Sequence, residues 1–198
     1  MWPVPSPVTA FAERRRKLQR KLVRSALIAS GQAPARNFPA NQYPFRASSH
    51  FLYFVGRQLP GAVLLMGPGR TALYAPPPDP DQTLWMAQES LGEIEQALEL
   101  EVRPLDDLPR EPEAAAIPPQ DAYTASWLSE KLGRPITAGA GSRLKNDRDR
   151  ELADAVIELR LRHDDAAIGQ MRQAAAVSEL AHRAGLIGTR PGLREAQV

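Results

Sequence analysis

Between Asn41 and Gly67 the sequence reads NQYPFRASSHFLYFVGRQLPGAVLLMG, and no other segment restricts the fold as strongly. Tyr43, Phe45, Phe51, Tyr53 and Phe54 fall close together, followed by Gly56, a Pro60-Gly61 turn and the apolar run Ala62 to Met66. Residues of these types between turn formers predict two strands. In His50 to Val55 both alternating faces are apolar, with Phe51, Tyr53 and Val55 on one and Leu52 and Phe54 on the other. A strand apolar on both faces belongs inside a sheet covered by helices on each side.

The rest of the chain reads as support for that core. Its 198 residues, 43% hydrophobic and 24% charged, allow one substantial domain with an appendage. The absence of cysteine excludes a disulfide framework, a thiolate metal site and a thiol nucleophile, and suits a reducing compartment. No apolar run approaches the length of a membrane span, and the Met1-Trp2-Pro3 start has no apolar signal core, so a cytoplasmic protein without a membrane partner is expected. A formal charge of +2 gives no argument for an anionic partner.

Taken in order, Thr9 is expected to cap a helix from about Ala10 to Val23, with Glu13 in its first turn and Phe11, Leu18 and Leu22 facing inward. Arg14, Arg15, Arg16, Lys17, Arg20, Lys21 and Arg24 cover the remaining surface and read as a solvated face; nucleic-acid binding through this helix is the competing reading. Ala26 to Ala29 is expected to be the first strand. Ala62 to Met66 and Thr71 to Ala75 predict a hairpin, its glycines Gly67 and Gly69 serving a tight reversal and not a phosphate cradle, since no helix opens after them. Helical spacing follows at Leu91, Ile94, Ala97 and Leu98, then short strands at Leu100 to Val102 and Ala114 to Ile117. Asp121 is expected to cap a helix ending at Leu132 and stopped by Gly133, and Pro135 to Ala138 to form the last strand. Two long helical patterns, Asp147 to Arg162 and Asp165 to Ala184, break at His163-Asp164-Asp165.

The order Tyr43, Phe45, Arg46, Ser49, Phe51, Tyr53, Gly56, Pro60, Ala62 and Val63 resembles the N-terminal domain of the aminopeptidase P (Xaa-Pro aminopeptidase) family. His50 stands where that family usually has Asp or Asn. Arg160, Ile168, Arg172, Ala174, Ala181-His182, Arg190-Pro191-Gly192 and Glu195 resemble the passage from that domain into the pita-bread catalytic domain. Trp85 takes the place of a tryptophan that, in some oligomeric members, lies toward a neighbouring subunit's active site. The resemblance thus implies a substrate-binding role for Trp85, although Ala87 and Glu89 replace the family's glycine and arginine.

The family's chemistry rests on two metal ions, usually manganese, held by two aspartates, a histidine and two glutamates beyond the Arg-Pro-Gly-x-x-Glu turn. These 198 residues reach three positions past that turn, so no catalytic or metal-binding residue is expected here, and the chain reads as a truncated product or an expressed fragment. Glu179 and His182 share a helical face as one half of a di-metal site would, but the second half is missing. His163 with Asp164 and Asp165 fits helix capping better than metal binding. No Gly-x-Ser-x-Gly occurs, and His50 reads as a structural histidine.

The expected fold is α/β, a mixed sheet flanked by helices and ribonuclease H-like, with a C-terminal helical segment. Residues 1–145 would form the N-terminal domain, 146–164 a linker helix and 165–198 the first helix of the catalytic domain. The resemblance implies a non-catalytic domain serving homo-oligomerisation and restriction of access to an active site for short Xaa-Pro peptides, partnered by the missing catalytic domain or a full-length relative. A stand-alone interaction module, or the N-domain of a prolidase- or creatinase-like hydrolase, is the alternative.

Overall fold

The computed structural model describes residues 6–38, 41–83, 85, 87–139, 144 and 146–198. They fall into two compact units, one running from Val8 to Leu161 and the other comprising Arg162–Val198 with Ser6 and Pro7.

The first unit is built on a five-stranded mixed sheet. Its strands are β1 (Ala26–Ala29), β2 (Val63–Gly67), β3 (Arg70–Ala75), β4 (Val102–Pro104) and β5 (Ala115–Ala116), in the order β4-β3-β2-β1-β5. β2 pairs antiparallel with both β1 and β3, whereas β5 lies parallel to β1 and β4 parallel to β3. The hairpin forms as expected, with Gly67 opposite Arg70 and Gly69 at a φ of 73° that favours glycine.

Period-two alternation sorts the strand residues onto two cores. Ala26, Ile28, Leu64, Met66, Leu73 and Ala75 point to one face, where four helices supply the rest: α1 (Val8–Gln19), α2 (Ser49–Val55), α4 (Leu91–Leu98) and α6 (Asp147–Arg160). Leu27, Val63, Leu65, Ala72 and Tyr74 point to the other, under α5 (Ala122–Leu132) through Leu128 and Leu132. A short helix, α3 (Pro80–Thr83), lies in the loop after β3.

The principal correction falls on the aromatic block. His50 to Val55 is a helix, α2, and not a strand. Ser48 accepts the Phe51 N–H on its side chain, and Gly56 ends the helix in the left-handed conformation, its N–H returning to the Leu52 carbonyl. Phe51, Phe54 and Val55 are the buried residues, a spacing of three and four that suits a helix face. Aromatic composition favours a strand, but a cap at each end and an apolar stripe on one face decide the structure.

Three further expectations shift, the first being the strand expected at Leu100 to Val102, which is found at Val102–Pro104. α1 starts at Val8, directly after Pro7, so Thr9 lies inside the helix and Glu13 near its middle, and it ends at Gln19, short of Val23. Pro135 to Ala138 forms no strand. Ile136 donates its N–H to the Ser129 hydroxyl at 2.8 Å, and proline at 135 has no N–H to give a ladder. The capped helix at Asp121, with Gly133 as its stop, is found as expected.

The second unit is dominated by α7 (Asp165–Gly188), 24 residues long, with Asp164 accepting the Ala167 N–H at 2.8 Å as its N-cap. None of its residues is fully buried, and Met171, Val177, Leu180, Leu186 and Ile187 are exposed.

Candidate functional site

Trp85 is 86% exposed, so it does not anchor its proline-rich loop in the core. The loop that carries it is braced at its base. Asp79 donates its N–H to Gln88 Oε1 at 2.8 Å and accepts the Asp81 N–H on its own carboxylate at 3.0 Å. Leu84 and Met86, which flank the tryptophan, lie outside the described residues. The indole is thus presented to solvent from a loop that is tied down on both sides, an arrangement suited to contact with another molecule.

The solvated cationic face expected of the basic run is found in part: Arg16, Lys17, Arg20 and Lys21 are exposed, whereas two other arginines turn inward. Arg14 and Arg15 are buried, at 6% and 5% exposure. Arg14 Nη1 donates to the Tyr53 carbonyl at 3.2 Å and Arg15 Nη1 to the Phe54 carbonyl at 2.8 Å, so both satisfy carbonyls of the last turn of α2. Burial and the neighbouring Arg16 pull the Arg15 guanidinium below its ordinary pKa. Of the others, Arg16 and Arg20 pair with Glu13, Lys21 with Glu158 and Arg24 with Glu151. Three carboxylates thus offset part of the positive charge, and Arg14 and Arg15 are committed to α2, so a phosphate-tracking surface here would have fewer outward cations than the run of seven suggests.

His50 is joined to the end of α6. Arg160 Nη1 donates to His50 Nδ1 at 3.0 Å, the Arg160 guanidinium stands 5.5 Å from the Tyr53 ring, and the Tyr53 hydroxyl donates to the Leu159 carbonyl at 3.2 Å. Partial burial, and secondarily the charge of Arg160, lower the imidazole pKa below its ordinary value. His50 is thus tied to a partner 110 residues away, a contact that could not be read from spacing.

For metal chemistry the donors are dispersed. Glu179 and His182 lie on α7, and Asp164 caps that helix. Among the described residues no three His, Asp or Glu side chains form a group that could hold a metal ion. Nor is any helix of the described residues long and apolar enough to cross a membrane.

One polar cluster was invisible to sequence reasoning. Arg134 clamps Asp149 through two nitrogens, at 2.8 and 2.6 Å, and Asp149 accepts the Ala116 N–H at 2.8 Å. Its partners come from α6 and from an irregular segment after α5, so no motif announces it.

The family profile described as "Aminopeptidase P, N-terminal domain" matches residues 11–118. Among solved structures, the proline aminopeptidase P II of Yersinia pestis is 22% identical with a TM-score of 0.72, aligning 96% of this chain with 48% of that one. A histidine-to-alanine variant of Escherichia coli aminopeptidase P is 19% identical with a TM-score of 0.77, aligning 98% with 48%. Pseudomonas aeruginosa aminopeptidase PepP is 23% identical with a TM-score of 0.72, aligning 96% with 46%. The chain thus spans about half the length of these relatives, and at such identities the likeness concerns the fold. No curated protein matches the sequence. Since the family profile covers more than half of the residues, the chain belongs to the aminopeptidase P family through that family's N-terminal domain.

Proposed function

We propose that these residues act as the non-catalytic N-terminal domain of an Xaa-Pro aminopeptidase-like metallopeptidase, mediating self-association and restricting access to the active site. The observation that carries this is the family match over residues 11–118. The parent enzyme would release the N-terminal residue from short Xaa-Pro peptides in the cytoplasm. Trp85, exposed on its braced loop, supplies the contact toward a neighbouring subunit's active site. A wall of this kind confers selectivity by exclusion: substrates are discriminated by which of them can enter.

The two manganese ions that the family implies do not fit the described residues. Such a pair needs about five oxygen or nitrogen donors converging from separate elements, and here not even three converge. Hydrolysis would therefore depend on a metal-bearing domain that these residues do not supply. A stand-alone interaction module of the same fold is favoured by one observation, the exposed Met171, Val177, Leu180 and Ile187 of α7.

The test is Xaa-Pro peptide hydrolysis by the 198-residue chain with added manganese, alongside light scattering of the same sample. Self-association without turnover is the expected result. Manganese-dependent turnover that survives contamination controls would overturn the non-catalytic assignment. A monomer at all concentrations would remove self-association.

A further inference from the structure

β1 and β5 run parallel, and a cavity of about 250 Å³ opens just past their C-terminal ends, beside Ala29 and the segment after Ala116. In open α/β sheets the crevice outside the carboxyl ends of the strands is where ligands bind, because the outgoing loops diverge there. At about 30 Å³ per water in the liquid, the space is that of roughly eight waters, enough for a small organic molecule.

Among the described residues, the lining has four polar side chains that can donate, Ser48, Ser49, His50 and Gln120, and none that is acidic. Ser48 Oγ accepts the Phe51 N–H at 3.2 Å, which leaves its own proton to donate. His50 Nδ1 accepts from Arg160, so the proton of the neutral ring sits on Nε2 and that nitrogen is a donor. Ser49 and Gln120 add a hydroxyl and an amide. Behind the imidazole stands the fixed positive charge of Arg160. The hydroxyls and the amide can donate or accept, and the charge of Arg160 behind the His50 donor is what biases the set toward an oxyanion. The remaining wall is apolar, formed by Ile28, Ile117, Pro118 and Pro119, and a fully hydrated dianion would lose solvation against it without return.

We propose that this cavity binds a small monocarboxylate bearing a short apolar group, the carboxylate taken by the donors of Ser48, Ser49, His50 and Gln120 and the apolar group laid against Ile28, Ile117 and the two prolines. The site lies entirely within the Val8–Leu161 unit and is independent of the function proposed above.

Isobutyrate is the probe, titrated into the 198-residue chain and read through the ring signals of His50, His163 and His182 by NMR. The expected result is a saturable shift of His50 alone. Gln120→Leu and Ser49→Ala, exposed positions whose changes leave the circular dichroism spectrum intact, should each weaken binding about fivefold, the worth of one hydrogen bond. Inorganic phosphate at equal concentration should leave His50 unmoved. Parallel, unsaturated shifts of all three histidines would overturn the proposal, since that is non-specific binding. So would full affinity in both variants. A phosphate shift equal to that of isobutyrate would make the cavity a plain anion site and overturn the assigned ligand class.

Discussion

Asp149 and Arg134 together close the outer edge of β5. An edge strand offers N–H and C=O groups of alternate residues to whatever lies beside it. Here the Ala116 N–H goes to Asp149 Oδ1 at 2.8 Å, and the Ala114 carbonyl accepts from Arg134 Nη2 at 3.2 Å, while the two side chains hold each other. Asp149 is only 4% exposed, so the pair stands in for a sixth strand inside the protein.

Removing one partner from such a pair leaves the other charge buried and unmatched. Asp149→Ala should lower the unfolding free energy by about 3–5 kcal/mol. Asp149→Asn, which keeps an acceptor for Ala116, should lose less. Urea denaturation of both variants measures this, and equal losses would mean that the edge hydrogen bond contributes nothing.

The second prediction compares two glycines with the same backbone geometry. Gly56 and Gly133 both end helices in the left-handed region, at φ of 77° and 62°. A Cβ on Gly133 would meet nothing within 4 Å, whereas one on Gly56 would meet the Phe11 ring at 2.4 Å. Gly133→Ala should therefore cost about 1 kcal/mol from conformation alone. Gly56→Ala adds the displacement of Phe11, roughly 1–3 kcal/mol more. Thermal unfolding of the two variants should separate them clearly, and coincident midpoints would show that Phe11 moves aside freely.

The contrast between these sites shows what the sequence could reveal. Patterns confined to a few neighbouring residues were legible: the β2–β3 hairpin, the Asp121 cap, the break before α7, and the mixed α/β architecture itself. Ser48 and Gly56 were equally local, yet the aromatic richness between them outweighed two cap signals and made α2 read as a strand. Other features depend on tertiary partners. Arg14 and Arg15 look like their neighbours in a basic run, and only the arrival of the C-terminal end of α2 makes them buried donors. His50 and Arg160 meet across 110 positions. Trp85 stands out locally, after a proline-rich loop in a polar neighbourhood, and by family resemblance, but its exposure is known only from the fold.

The third prediction follows from that division of the basic helix. Arg15→Ala removes a charged donor from the Phe54 carbonyl and the packing of its stem, and should cost about 2 kcal/mol. Arg16→Ala removes only an exposed pair with Glu13 and should stay within about 0.5 kcal/mol. The Arg16→Glu, Arg20→Glu double variant, whose formal charge falls from +2 to −2, should elute from heparin no earlier than a control with the same change at the exposed Arg190 and Arg194. A large shift beyond that control would revive the nucleic-acid reading.

The last prediction concerns pH. In the folded chain, burial and Arg160 hold the His50 imidazole below the ordinary value of 6.5, and the Arg160 N–H needs the unprotonated Nδ1 as its acceptor. Unfolding frees the ring to take up a proton at the ordinary value, so near and below pH 6.5 the unfolded state binds more protons than the folded one. This contribution to stability is therefore fully present above pH 6.5 and is lost as pH falls through the native value. Thermal midpoints followed downward from pH 8 should decline across that window. His50→Asn has no proton to gain there and should flatten the curve. His50→Asp should do more than flatten it: a carboxylate facing Arg160 stays ionised through the same range and keeps the end of α6 paired to α2. A parent profile no steeper than that of His50→Asn would show that the contact with Arg160 survives protonation of the ring, and that this junction does not respond to pH.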